Sequence, residues 1–546
     1  MWKRTIISGV LAALTLPAQP GGPARVLTPG DQPDLQTLSR TVQSLRQASK
    51  ATPADSAEAD RLIAGSAELM RANQSGEARR RLAHAQALVT GKPWDAREEY
   101  AWSLALRPQP LVVEQSRPMT IELAQVYSAA YAPSETLHLK LALNSAEKES
   151  KAIRQLASFN IPARDLVAEP FRFQADLGGT PDGAYRLAAE IVEGERSLTG
   201  MQQPIGIAEG IESRYGDVER RLAKIQGHES AKATVRWPFD MARIVNLGIR
   251  RLETTDFGLP EQGLQIFDFG HELKDSGDIL KALETGKDPL VRARGDHERH
   301  YFFEEAREIM PYRVYVPSTW DGKKQLPMMF VLHGTTRDHN FYFDRDGGVL
   351  AKLAEKSGFI VATTMGYRPN AGYNANAINS LTGAAPPAGR AGGGGRGGAA
   401  ANPAQRRQAE LSEKDAMNTL DLVIKEYNPD PARIYLFGHS AGGTGGWYIA
   451  SKYSDRFSGI ALSAFGTQPQ NVPWDKLKGI PVMVIVGSKD APRTVETVRT
   501  MAQAVKENGF ETKFLEIPEA THDTIVGLSL PAVYEFFTTH RRTPVH

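Results

Sequence analysis

A chain of 546 residues exceeds what one ordinary hydrophobic core can organise, so two to four domains are expected. With 41% hydrophobic and 23% charged residues the composition is that of a soluble globular protein. A net charge of +2 on 65 basic and 63 acidic groups argues against nucleic acid or a membrane surface as partner. The absence of cysteine excludes disulfides, thiolate metal sites and a cysteine nucleophile.

Lys3 and Arg4 precede an apolar run from Ile6 to Leu16, which ends at Pro17-Ala18. A charged start, a short apolar segment and a small residue at the break form the pattern of a secretory signal peptide over 1–18. Export, to the periplasm or beyond, is therefore expected. The run is too short to span a bilayer, and no later run reaches spanning length.

Residues 31–92 carry helical spacing, with Leu35, Leu38, Val42 and Leu45, then Leu82, Ala85 and Leu88, which predicts a short antiparallel helical pair. Over 99–200 the period changes to two. Leu137, Leu139 and Leu141 alternate with polar residues, as do Phe171, Phe173, Ala175 and Leu177, and the turn Thr180-Pro181-Asp182-Gly183 precedes a further alternating stretch. A small β-sandwich-like accessory domain is expected there. Helical spacing returns over 205–290, with Val218, Leu222 and Ile225, then Met241, Ile244 and Leu247, which reads as a helical linker. The N-terminal half is expected to contact the domain that follows it or a polymer surface.

From 296 to 546 short apolar runs alternate with longer amphipathic stretches, the βαβ rhythm of a parallel sheet flanked by helices. The runs are 328–332, 359–362, 434–437, 460–462 and 482–486. One helix is predicted to start at the capping-box pattern Ser412-Glu413-Lys414-Asp415, and another to end at Asn508-Gly509. Residues 383–404 are nearly all Gly, Ala and Pro, which predicts a flexible insertion.

The chemistry concentrates at Gly438-His439-Ser440-Ala441-Gly442. Gly-x-Ser-x-Gly alone is a weak signal, but here an apolar strand ends at Phe437 and a helix opens after the motif. A sharp strand-to-helix turn exposes a serine at the carboxyl end of the sheet and leaves room only for glycine on either side. Ser440 is the candidate nucleophile, and the amide of Ala441 faces a developing oxyanion. A serine needs a base, and in the α/β-hydrolase fold acid and histidine follow the nucleophile in that order. His522 follows the strand 514–517, whereas His540 and His546 lie in the polar tail, so His522 is the candidate base. Asp490, in Gly487-Ser488-Lys489-Asp490 after the run ending at Val486, is the candidate acid, with Asp523 as competitor. The turn Leu332-His333-Gly334-Thr335 offers the Thr335 amide as second oxyanion donor, and His333 reads as structural. Tyr367 and Tyr373, in the loop 366–373, and His439 are candidate substrate-binding residues. His297-Glu298-Arg299-His300 lacks the one-turn spacing of a zinc-binding helix, so no metal and no cofactor is expected.

The segments 310–317, 332–334 and 430–443, with Trp447, resemble the exported esterase and peptidase branch of the α/β-hydrolases. That branch includes polyhydroxybutyrate-depolymerase-like, feruloyl-esterase-like and prolyl-oligopeptidase-like enzymes. The resemblance spans about 300 to 540. It implies Ser440, Asp490 and His522 as a triad and a small-molecule or polymeric ester as substrate. Two alternatives stay open: a serine peptidase of the prolyl-oligopeptidase kind, and an inert hydrolase fold that only binds a surface or a carbohydrate. The first 300 residues show no sign of the propeller of true oligopeptidases, which favours esters.

Overall fold

The computed structural model describes residues 26–131, 133, 136–146, 151–162, 165–249, 267–381 and 402–541. The expected signal peptide over 1–18 lies outside them, as does most of the Gly/Ala/Pro-rich stretch 383–404.

The N-terminal segment folds as three packed helices rather than a pair: α1 (Leu35–Ala48), α2 (Pro53–Arg71) and α3 (Ser75–Thr90). Asp34 caps α1 by accepting from the amides of Gln36 and Thr37, and Leu38, Val42 and Leu45 face the core. The missed helix, α2, buries only Ala59, Leu62 and Ser66, too small a stripe to show as an apolar period. A short helix, α4 (Ala96–Ser103), leads into the β-rich region.

Eight strands follow: β1 (Leu104–Gln109), β2 (Val112–Val113), β3 (Met119–Gln125), β4 (Leu137–Ser145), β5 (Ala152–Ile161), β6 (Phe171–Ala175), β7 (Gly183–Glu193) and β8 (Arg196–Ile207). They form two sheets, ordered β1-β3-β6 and β2-β8-β7-β4-β5. Leu139, Leu141 and Leu143 of β4 and Leu187, Ala189 and Ile191 of β7 point inward, where they meet Ile121, Leu123 and Phe173 of the smaller sheet in one core. Helices α5 (Ile211–Leu222), α6 (Glu229–Asn246) and α7 (Phe269–Glu284) come next. From α6, the Trp237 ring lies 4.6 Å from that of His300 and Ser230 Oγ donates to the His300 carbonyl, which fastens this layer to the last sheet.

That sheet opens with a hairpin, β9 (Gly295–Phe303) and β10 (Glu308–Val316), and continues through β11 (Met328–Leu332), α8 (Phe341–Asp344), α9 (Val349–Ser357), β12 (Ile360–Thr364), α10 (Pro403–Tyr427), β13 (Ile434–His439), α11 (Ala441–Lys452), β14 (Gly459–Ser463), β15 (Val482–Gly487), α12 (Pro492–Glu507), β16 (Thr512–Ile517) and α13 (Ile525–Thr539). Its order is β16-β15-β14-β13-β11-β12-β10-β9. The pairs from β16 to β12 are parallel, and β10 joins β12 and β9 antiparallel. This is the α/β-hydrolase fold. Met328, Phe330 and Leu332 of β11 enter the core on one face while Met329 and Val331 enter the core on the other, so the apolar runs are continuous because helices cover both faces.

Helix α10 begins nine residues before the expected start. Asn402 caps it, exchanging bonds with Gln405 in a capping box, and Pro403 is its first residue. Ser412, Glu413 and Asp415 instead lie in the helix interior with their side chains buried against the loop after β12. Their polarity, read as a cap, belongs to a buried network. Among the described residues no helix is long and apolar enough to cross a membrane.

Candidate active site

Strand β13 is buried along its whole length and delivers Ser440 at its carboxyl end, one residue before α11. Ser440 has φ 57° and ψ −118°, a conformation that side-chain-bearing residues rarely adopt. The neighbouring backbone leaves no room to relax it. A Cβ on Gly438 would stand 2.3 Å from the Gly442 carbonyl oxygen, and one on Gly442 would stand 2.1 Å from that of Leu332. The Ser440 amide donates to the Ser463 carbonyl at 2.9 Å, which ties the turn to β14.

His522, in the loop after β16, reaches the serine from the side: its Nε2 is 3.0 Å from Ser440 Oγ. Its Nδ1 lies 2.7 Å from Asp490 Oδ2. Asp490 sits in the turn after β15, where its amide donates to the Gly487 carbonyl and its other oxygen accepts from the Ala491 amide. The Asp490 side chain is 2% exposed and that of His522 40% exposed, so the carboxylate is shielded while the imidazole keeps an open edge. Burial pulls the His522 pKa down, but the hydrogen bond and charge of Asp490 outweigh it and leave the value above the ordinary 6.5.

Asp523, the competing acid, points elsewhere. Its carboxylate lies 3.7 Å from Arg337 Nη2, and its carbonyl accepts from Arg345 at 2.9 Å, so the two arginines pin the loop that carries His522.

The turn after β11 also lies against Ser440: a Cβ on Gly334 would stand 3.2 Å from Ser440 Cβ. Neither the Thr335 nor the Ala441 amide donates to an acceptor among the described residues. Backbone amides left without an acceptor next to a nucleophile's turn can donate to the carbonyl oxygen on which negative charge develops during acyl transfer. His333 is buried, with its ring nitrogens 2.8 Å from the carbonyls of Gly334 and Met365. Burial lowers its pKa to about 4, so it is neutral and ties the end of β11 to the loop after β12.

The three expected substrate contacts lie in different settings. Tyr373 is 1% exposed. Its amide donates to Ser412 Oγ, and its hydroxyl accepts from the His333 amide at 3.0 Å. A ring packed so closely against Gly366 and Gly445 offers a ligand no surface, which corrects its assignment to the pocket. It is a prop. His439 is also buried. Its ring centroid is 4.7 Å from that of His522 and its Nδ1 3.2 Å from Ser463 Oγ, and burial holds its pKa well below 6.5. It is enclosed against the His522 imidazole rather than facing solvent. Tyr367 is half-buried, under the guanidinium of Arg368, with its amide bonded to Asp415.

Sequence reasoning missed Ser463, Arg337 and Arg345, which touch His439 or the loop of His522, and it read Asp415, which holds the Tyr367 amide, as part of a helix cap. No local pattern marks the first three, because their partners lie far away in the chain. Among the described residues no group of three His, Asp or Glu side chains is arranged to hold a metal ion.

Residues 304–509 match the Esterase family model, described as "Putative esterase". Among solved structures, a thermostable esterase is 12% identical, with 76% of this chain and 92% of that chain covered at a TM-score of 0.35. A ferulic acid esterase from the anaerobic fungus Anaeromyces mucronatus is 16% identical, with 46% and 93% covered at 0.34. An S-formylglutathione hydrolase from Agrobacterium tumefaciens is 16% identical, with 45% and 96% covered at 0.34. No curated protein matches the sequence.

Proposed function

We propose that the chain, whose residues 304–509 match the esterase family model, is an exported carboxylic ester hydrolase that forms an acyl-enzyme on Ser440, with His522 as base and Asp490 as the acid that orients it. The observation that carries this reading is the hydrogen-bonded line from Asp490 through His522 to Ser440. The charged and then apolar pattern of residues 3–16 supports export.

In this reading Ser440 Oγ attacks the ester carbonyl carbon while His522 Nε2 takes the hydroxyl proton. Asp490 holds the imidazole with its proton on Nδ1 and stabilises the imidazolium. The carbonyl π electrons move onto oxygen, and the resulting oxyanion sits between the Thr335 and Ala441 amides, the latter at the positive end of α11. Collapse expels the alcohol, which takes the proton from His522. Water then repeats the sequence on the acyl group and frees Ser440. Tyr367 is the one aromatic side chain of the loop 366–373 with surface to offer an acyl or alcohol group.

The test is labelling of the full chain by a fluorophosphonate, followed by turnover of short aryl esters and of proline-containing peptides. Wild type should be labelled and should cleave esters, and Ser440→Ala should do neither. Equal labelling of both proteins, or cleavage of peptides alone, would overturn the reading.

A further inference from the structure

Thr336, directly after the proposed oxyanion donor, is held in a conformation it would not choose. It is β-branched and 1% exposed, and its φ is 68°, in the left-handed region that disfavours such residues. Strain of this kind persists only where the surroundings over-determine it. Two bonds do so here. The Thr336 amide donates to the Pro369 carbonyl at 3.0 Å, in the loop after β12. Its Oγ1 accepts from Arg40 Nη1 at 3.0 Å, and Arg40 belongs to α1, 296 positions earlier.

The residue on the other side of Thr335 is fixed as well. Gly334 lies against the nucleophile turn so closely that a Cβ on it would stand 3.2 Å from Ser440 Cβ, and its carbonyl accepts from the Arg337 amide. Thr335 is therefore suspended between a residue pressed on Ser440 and a residue clamped from α1. The direction of its amide follows from those two anchors. One of the anchors comes from outside the hydrolase fold.

We propose that Arg40 is a positioning residue for the oxyanion site: the N-terminal helix α1 completes the hydrolase domain by holding Thr336, and through it the Thr335 amide, in the orientation that receives negative charge. The inference rests on the proposed roles of Ser440 and Thr335. It gives the helical layer a part in the chemistry rather than in attachment alone. Arg40 suits the task because its long stem crosses between layers while the guanidinium N–H keeps a fixed direction. α1 does not depend on that bond to fold, since Leu38, Val42 and Leu45 pack it against Leu62, Leu82 and Val89.

The experiment compares full-length wild type, Arg40→Ala, Thr336→Val and the double variant on a short aryl ester, with thermal melts of each. Thr336→Val keeps the shape and the backbone strain and removes only the acceptor. Deleting an oxyanion donor outright costs roughly 100- to 1000-fold in kcat, so misdirecting one is expected to cost about tenfold. Each single variant should lose about that factor in kcat with KM within about twofold and an unchanged pH profile, since the His522 base is untouched. The double variant should be no slower than the slower single, because both remove one interaction. Arg40→Lys should recover part of the rate. A wild-type kcat in either folded single variant, with only a lower melting temperature, would overturn the inference, and so would losses that multiply in the double. Wild type that neither labels at Ser440 nor turns over esters would instead overturn the esterase reading, a separate result.

Discussion

Asp490 Oδ2 lies 2.7 Å from His522 Nδ1, although the two residues are 32 positions apart and stand in loops after different strands. The contact fixes which ring nitrogen carries the proton, and so which one is left to accept from Ser440. Asp490→Asn keeps the shape but presents an amide that can hold the opposite tautomer. Steady-state ester hydrolysis should show kcat lower by roughly 10³- to 10⁴-fold with little change in melting temperature.

The same pair sets the pH dependence. Asp490 raises the His522 pKa above its ordinary 6.5, so the protonated ring is favoured in the folded state. Its stabilising contribution is therefore complete below the unfolded value and fades as pH rises through the raised folded value. Activity runs the other way, because only the neutral ring accepts the serine proton. The kcat/KM profile should rise across a single ionisation lying above 6.5, and Asp490→Asn should move that ionisation to lower pH.

Gly442 carries the tightest approach in the nucleophile turn, with an added Cβ 2.1 Å from the Leu332 carbonyl oxygen and 2.7 Å from that of His333. Both atoms are backbone, so the turn or β11 must shift to admit a methyl group. Gly442→Ala should lower stability by about 1–3 kcal/mol and abolish most turnover, read by thermal melts and fluorophosphonate labelling.

Tyr373 separates a prop from a pocket residue. Its hydroxyl is the acceptor for the buried His333 amide at 3.0 Å. Tyr373→Phe leaves that amide unpaired and should cost about 1–3 kcal/mol in denaturant unfolding while KM stays unchanged. A raised KM without loss of stability would return the ring to the substrate.

What could be read in the chain was local. The strands from β11 to β15 are visible because each is an apolar run bounded by polar sequence, and Ser440 because glycine, strand and helix stand next to it. The hairpin β9–β10 is not: Arg299 and His300 are buried within it, and buried polar residues look like surface until their partners appear. The start of α10 is hidden for the same reason, since Ser412 and Asp415 bond to Tyr373 and Tyr367 rather than cap a helix. The enclosure of Tyr373 is invisible in sequence because a loop aromatic carries no mark of the side it faces.

The type of sheet, the turn at Ser440 and the order in which Asp490 and His522 follow it are written in the chain, because strand rhythm and steric exclusion act over a few residues. What surrounds them follows from long-range packing. Asp490 rather than Asp523 meets His522, Tyr373 is enclosed, and Arg40 crosses 296 positions to reach Thr336. Each of those outcomes depends on packing between elements distant in the chain, and hydrogen bonds at that range leave no period or motif in the sequence.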